Sequence, residues 1–255
     1  MKKFLLGSVT LVAMMAGPAM AADMPLRAPP PPPVAYYDWT GAYIGFNVGE
    51  VWNDTTRHFP TPGGVNPDFT TNNTDGIYGF HAGAQWQWGG WVLGAEAALS
   101  GCFRECREAI ALPGPPFFNP NNAGEHKMTN LFTVGPRLGY AWDRLLIFAT
   151  GGYASADLKG TYCSTVTGIC GPTFTNQNGA TRANGWYAGG GFDYLIHQGA
   201  LVDVALGLEY QHFDVSANNA FRSNVIANDY DLEAKGDLVR ARLTIKTKGY
   251  GFWYQ

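Results

Sequence analysis

Residues 77–88 read Ile-Tyr-Gly-Phe-His-Ala-Gly-Ala-Gln-Trp-Gln-Trp, and their side chains sort by parity. Tyr78, Phe80, Ala82, Ala84, Trp86 and Trp88 are apolar, while Ile77, Gly79, His81, Gly83, Gln85 and Gln87 are mostly small or polar. A period of two belongs to a β-strand, whose successive side chains point to opposite faces. Residues 202–211 repeat it, with Val202, Val204, Leu206, Leu208 and Tyr210 on one face and Asp203, Ala205, Gly207, Glu209 and Gln211 on the other.

One such strand would suit a half-buried soluble sheet, so the spacing of the set has to decide. Strands are expected at 40–52, 75–88, 91–101, 127–141, 145–158, 183–195 and 200–214, with an eighth from 237. The connections alternate long and short, the short ones being Gly89–Gly90, Trp142–Arg144 and Ile196–Gly199. Tight turns at one end and long loops at the other are the pattern of a membrane barrel. The expected fold is all-β: an eight-stranded antiparallel up-and-down transmembrane β-barrel with short periplasmic turns and long extracellular loops. Trp39, Trp86, Trp88, Trp91 and Trp142, with Tyr36, Tyr37, Tyr140 and Tyr194, fall at the short-turn ends, as an interfacial aromatic girdle requires. Trp52, Trp186, Tyr210 and Phe213 are expected at the opposite rim.

Lys2 and Lys3, the apolar run 4–16 and Ala19-Met20-Ala21 have the form of a secretory signal cut after Ala21. The apolar run falls short of the roughly twenty residues a membrane helix needs. The expected organisation is a signal peptide (1–21), a periplasmic Pro-rich leader (22–38) and an outer-membrane β-barrel (39–255). Five consecutive prolines, Pro29 to Pro33, make the leader a semi-rigid spacer. It is either a plain approach to the barrel or a reach toward cell wall or a periplasmic partner. The formal net charge of −3 comes without a clustered basic patch, which speaks against nucleic acid as a partner.

Cys102 and Cys106 fall in the second outer loop, Cys163 and Cys170 in the third. An even count in an exported chain points to disulfides with three connectivities. Local pairs would each close a small loop, and cross-loop pairing stays open. A metal site is the competing idea, although neither pair has zinc-ribbon spacing and the export route is oxidising.

With the apolar positions toward lipid, the lumen can be listed. Glu96 and Arg137 lie at similar distances from the short turns on neighbouring strands. Val239, Ala241, Leu243 and Ile245 alternate with Arg240, Arg242, Thr244 and Lys246, which puts the basic set inside with Asp193, Asp203, Glu209 and His81. An unpaired buried charge costs several kcal/mol, so a lumen charge network of Glu96, Arg137, Asp203, Arg240 and Arg242 is expected. Eight strands leave an interior just wide enough for side chains. Pro136, inside a strand, cannot donate to the ladder and predicts a bulge or a missing hydrogen bond. His81, His126 and Ser100 are the candidates for hydrolytic chemistry, but none sits beside a nucleophile motif. No enzymatic activity and no cofactor are expected.

The motifs Trp39-Thr40-Gly41-Ala42-Tyr43-Ile44-Gly45, Trp91-Val92-Leu93-Gly94-Ala95-Glu96, Arg137-Leu138-Gly139-Tyr140-Ala141-Trp142-Asp143-Arg144, Ala149-Thr150-Gly151-Gly152 and Leu208-Glu209-Tyr210 carry a resemblance. Together they resemble the small outer-membrane β-barrel family of alphaproteobacteria, the "porin family" or outer-surface immunogenic proteins, similar in fold to the OmpA-like transmembrane domain. The resemblance implies a surface-exposed barrel of the Gram-negative outer membrane with roles in envelope integrity and host contact. The name "porin" is not evidence of transport. Family members usually stop at an aromatic residue directly after the Val-Arg-x-x-Leu strand, whereas here a tail runs to Gln255. Gly249, Phe252 and Tyr254 in that tail match the assembly signal that the barrel-assembly machinery is thought to read. The inward phase of Arg240 and Arg242 would place Phe252 and Tyr254 inside, so a register change must intervene if they face lipid.

Two functional readings follow. One is a structural surface protein acting through its extracellular loops. The alternative is a narrow or gated channel for water, ions or small solutes. The partners expected are outer-membrane lipids, the barrel-assembly machinery and cell-wall or host surfaces.

Overall fold

The computed structural model describes residues 37–58, 68–111, 122–164, 170–171, 180–222 and 229–248. The signal, the proline run and the tail residues Gly249, Phe252 and Tyr254 lie outside these. The strands are β1 (Gly41–His58), β2 (Asp68–Trp88), β3 (Trp91–Cys102), β4 (Arg107–Ala111), β5 (Asn122–Trp142), β6 (Leu145–Ser164), β7 (Cys170–Gly171), β8 (Ala180–Gln198), β9 (Val202–Arg222) and β10 (Asp229–Thr247). Eight of them form an antiparallel ring in the order β1, β2, β3, β5, β6, β8, β9, β10. β10 closes it on β1, with Tyr43 opposite Lys246 and Glu50 opposite Val239. β4 and β7 are short additions on β5 and β6. The barrel therefore has no free edge, which a lipid environment demands.

The strands outrun the apolar pattern that announces them. β2 has 21 residues and β10 has 19, where crossing the hydrocarbon takes about 9–11. The extra length lies on the long-loop side, and there the polarity of the two faces reverses. In the lower half of β10, Val239, Ala241, Leu243 and Ile245 face out, while Arg240, Arg242, Thr244 and Lys246 are buried inside. Above them Asp231 and Lys235 are exposed with Glu233 and Asp237 on the same face, and Leu232, Ala234 and Leu238 fill the interior. β9 switches between outward Tyr210 and inward Phe213, and β8 between outward Phe192 and inward Tyr187. Through these crossings in β8, β9 and β10 the backbone alternation is unbroken. What changes is the outer solvent, from lipid to water, and with it the side on which apolar groups are stable.

The two ends differ from the sequence expectation in detail. Gly89 (φ 60°) and Asp143 (φ 52°) make tight turns in the left-handed region. The third turn falls at residues 199–201, not 196–199, because the β8–β9 register shifts between Leu195 and His197 and β8 runs on to Gln198. Pro136 produces a missing hydrogen bond and no bulge. Pairing of β5 with β6 skips Gly135 and Pro136 and resumes in the same register. Trp86, Trp88, Trp91, Trp142 and Tyr194 are exposed at the short-turn end, and Trp52, Trp186 and Tyr210 higher up. Three aromatics depart from that plan: Tyr37 and Trp39 turn into the barrel mouth, and Phe213 is buried in the upper core.

Candidate functional site

The lumen is stacked in three layers. The top layer is apolar: Val51, Ile77, Met128, Leu131, Leu158, Phe213, Val215 and Leu238 belong to one buried cluster. It is the inner face of the strand halves whose outsides are polar.

The middle layer is ionic. Glu96 on β3 receives Arg242 of β10 through both oxygens, Nη1 to Oε1 at 2.7 Å and Nη2 to Oε2 at 2.6 Å. Arg242 also donates Nη1 to Glu209. Arg240 Nη2 lies 2.9 Å from Glu209 Oε2 and 3.8 Å from Glu96 Oε1. Arg137 Nη2 donates to Asp193 Oδ2 at 2.5 Å, with its Nη1 3.6 Å from Glu96 Oε2. Three guanidiniums thus meet three carboxylates, all buried. Balance in number matters because a desolvated charge is tolerated only when paired. Neutral side chains complete the layer. Tyr43 Oη donates to Glu96 Oε2 (2.9 Å), Gln211 Nε2 to Glu209 Oε1 (2.7 Å), and Phe148 lies under the Arg137 guanidinium at 3.7 Å. Gly207 makes room for Asp193: a Cβ there would sit 2.1 Å from Asp193 Oδ1.

Asp203 stands apart from the expected network. It accepts Tyr37 Oη at 2.7 Å and lies 3.8 Å from Lys246 Nζ, while Asp193 and Glu209 are the carboxylates that join Glu96. Tyr43 and Phe148 went unread as parts of the network. Tyr43 had a signal, since outward Ala42, Ile44 and Phe46 imply that it points in. His81 Nε2 is 3.0 Å from Thr244 Oγ1 and serves as polar filling. Ser100 is buried on β3, and the side chain of His126 lies outside the described residues.

The bottom layer is aromatic and apolar: Tyr37 and Trp39 pack with Val92, Ala141, Leu146, Leu195 and Ala205. Between it and the ionic layer lies a cavity of about 10 Å³, lined in part by Tyr43, Arg137, Asp193, Asp203 and Lys246. That is room for about one water molecule.

At the outer end, Cys102 and Cys106 form a disulfide across a four-residue separation, Cα–Cα 5.4 Å. Asp75 Oδ2 accepts the amides of Arg104 and Cys106, each at 3.0 Å, which holds the turn. Asp75 and the two sulfurs lie close enough to invite a metal, but the disulfide takes both thiolates and the turn amides take the carboxylate. Cys163 and Cys170 are opposite each other in the β6–β7 register, with side chains outside the described residues.

A closed antiparallel ring with a lipid-facing apolar band and a charged interior defines a transmembrane β-barrel. The chain belongs to the outer membrane protein beta-barrel domain family, whose model matches residues 9–236. It is 30% identical over 229 residues to the 31 kDa outer-membrane immunogenic proteins of Brucella melitensis and Brucella suis, covering 86% of this chain and 89% of each relative. Among solved structures it is similar to OprG of Pseudomonas aeruginosa, at 11% identity and TM-score 0.46, over 80% of this chain and 96% of that one. It is a protein of the Gram-negative outer membrane.

Proposed function

We propose that this protein is a closed structural barrel that contributes to envelope integrity and acts on its surroundings through its outer loops. One observation carries the reading: the lumen is filled by three successive layers, and the space between the lower two holds about one water. A filled barrel contributes rigidity and a platform. The work then falls to the surface, and the immunogenic character named for the Brucella proteins fits loops that reach the cell exterior. Outer-membrane lipids would surround the apolar band, and the barrel-assembly machinery would read Gly249, Phe252 and Tyr254. Cell-wall or host surfaces are the partners proposed for the leader and the loops. His81 spends its Nε2 on Thr244 Oγ1, which suits polar filling of the lumen.

The second reading, a gated narrow channel, draws on Glu96, which has three guanidiniums within 4 Å and so could exchange partners. Planar-bilayer recording of the refolded protein and of Glu96→Ala separates the two. The closed barrel predicts no discrete openings in the parent chain. Discrete openings whose size or frequency changes in Glu96→Ala would replace it with the channel.

A further inference from the structure

The strap before β1 fills the lower lumen without being part of the barrel wall. Gly41, at φ 144°, is where the chain leaves that wall, and a Cβ there would sit 2.3 Å from Thr247 O. From it Asp38, Trp39 and Tyr37 cross the short-turn mouth. The Tyr37 and Trp39 rings meet edge to face at 5.1 Å. They pack on inward residues near the short-turn end of five strands: Val92 of β3, Ala141 of β5, Leu146 of β6, Leu195 of β8 and Ala205 of β9.

Polar contacts tie the strap to the remaining sides. Gln87 Oε1 accepts Trp39 N at 2.7 Å and Gln85 Nε2 donates to Trp39 O at 2.8 Å, both from β2. Lys246 Nζ of β10 donates to Asp38 O at 2.9 Å and Thr40 O at 3.0 Å. Asp143, in the β5–β6 turn, accepts Tyr37 N at its carboxylate and Trp39 Nε1 at its carbonyl, each at 3.0 Å. Every other strand of the ring is therefore engaged by two or three residues.

We propose that Tyr37–Trp39 form a cork that seals the periplasmic mouth and can leave as a unit, exposing the vestibule below the ionic layer to periplasmic water. The proposal rests on the closed-barrel reading and adds a moving part to it. The cork is held by separate hydrogen bonds and by two rings, not by a sheet ladder, so it can detach without opening the barrel. The chain continues from the cork toward Pro29–Pro33 in sequence, so a pull or a bound partner on that side of it would act on the cork directly. Behind the cork lie Asp203, Lys246, Asp193 and Arg137, so its departure wets a charged vestibule while the ionic and apolar layers keep the outer side shut.

The test places a thiol in the vestibule. Ala205→Cys, which lines the small cavity, is made in the full chain in nanodiscs and treated with a membrane-impermeant maleimide, labelling at that site being read by mass after digestion. Two further changes are combined with it: Trp39→Ala, which removes the larger ring, and Asp143→Gly, which removes a tether while suiting the turn's positive φ. Heat-modifiable gel migration reports folding, so that a failure of Trp39→Ala to fold leaves Asp143→Gly as the test. The cork predicts a shielded thiol in the parent and labelling at least about tenfold faster in the loosened variants, the scale on which lost tethers shift a local opening. Equal labelling of all, or equal shielding of all, overturns it. Neither result depends on conductance, so failure of the cork and failure of the closed barrel are told apart.

Discussion

Glu96 is the residue on which the ionic layer turns, since it holds Arg242 by both oxygens and has Arg137 and Arg240 within 4 Å. Removing it strands buried guanidinium charge, and Glu96→Ala should lose about 3–5 kcal/mol, read from the urea midpoint of the refolded barrel. Gly207→Ala acts by a different route. Its Cβ would meet Asp193 Oδ1 at 2.1 Å and Phe192 O at 2.3 Å, and the forced shift should cost about 1–3 kcal/mol in the same assay. Parity in the sequence names the inward charges Glu96, Arg137, Arg240 and Arg242, but not their partners. Asp193, Asp203 and Glu209 are all inward, and which of them meets Glu96 depends on the stagger between strands, which no single strand's pattern records. Tyr37 and Trp39 escaped for a related reason. They precede the first strand, so parity does not reach them, and an aromatic near an interface reads as girdle until the direction of the backbone is known.

At the scale of the element, each strand is legible where it meets lipid and misread where it leaves it. The lower half of β10 alternates Val239, Ala241, Leu243 and Ile245 against charged and polar neighbours, and that is the half sequence reading found. Above it the apolar set moves to even positions, Leu232, Ala234 and Leu238. Leu238-Val239, two apolar residues in a row, marks the crossing. A search for one fixed phase stops there, so the strand was expected to start at 237 and not at Asp229. The two halves should answer substitution differently. Leu243→Arg puts a charge on the lipid face and should cost about 2–4 kcal/mol if it lies near the midplane. Lys235→Leu, outward in the watered half, should stay within about 0.5 kcal/mol of the parent. Equal penalties would mean that both halves face one medium.

The barrel is a tube between two solvents, closed inside and sorted outside. Below, lipid takes the apolar face and the lumen keeps the charges; above, water takes the polar face and the lumen is apolar. Rigidity comes from the closed ring and from the three layers that fill it, so the outer Cys102–Cys106 turn is an accessory. Reducing it should leave the heat-modifiable shift of the folded barrel intact, with any loss confined to the turn that Asp75 also holds. On the proposed reading, a filled tube acts on the cell's surroundings through its outer surface and loops. That account depends on where each strand leaves the membrane. Single spin labels at Asp231, Lys235, Asp237, Val239, Ala241 and Leu243, with oxygen and a polar nickel chelate as relaxants in bilayers, measure it directly. The account predicts nickel-accessible labels from 231 to 237 and oxygen-dominated labels from 239 to 243, with the change between Asp237 and Val239. Oxygen-dominated labels along the entire set would contradict it.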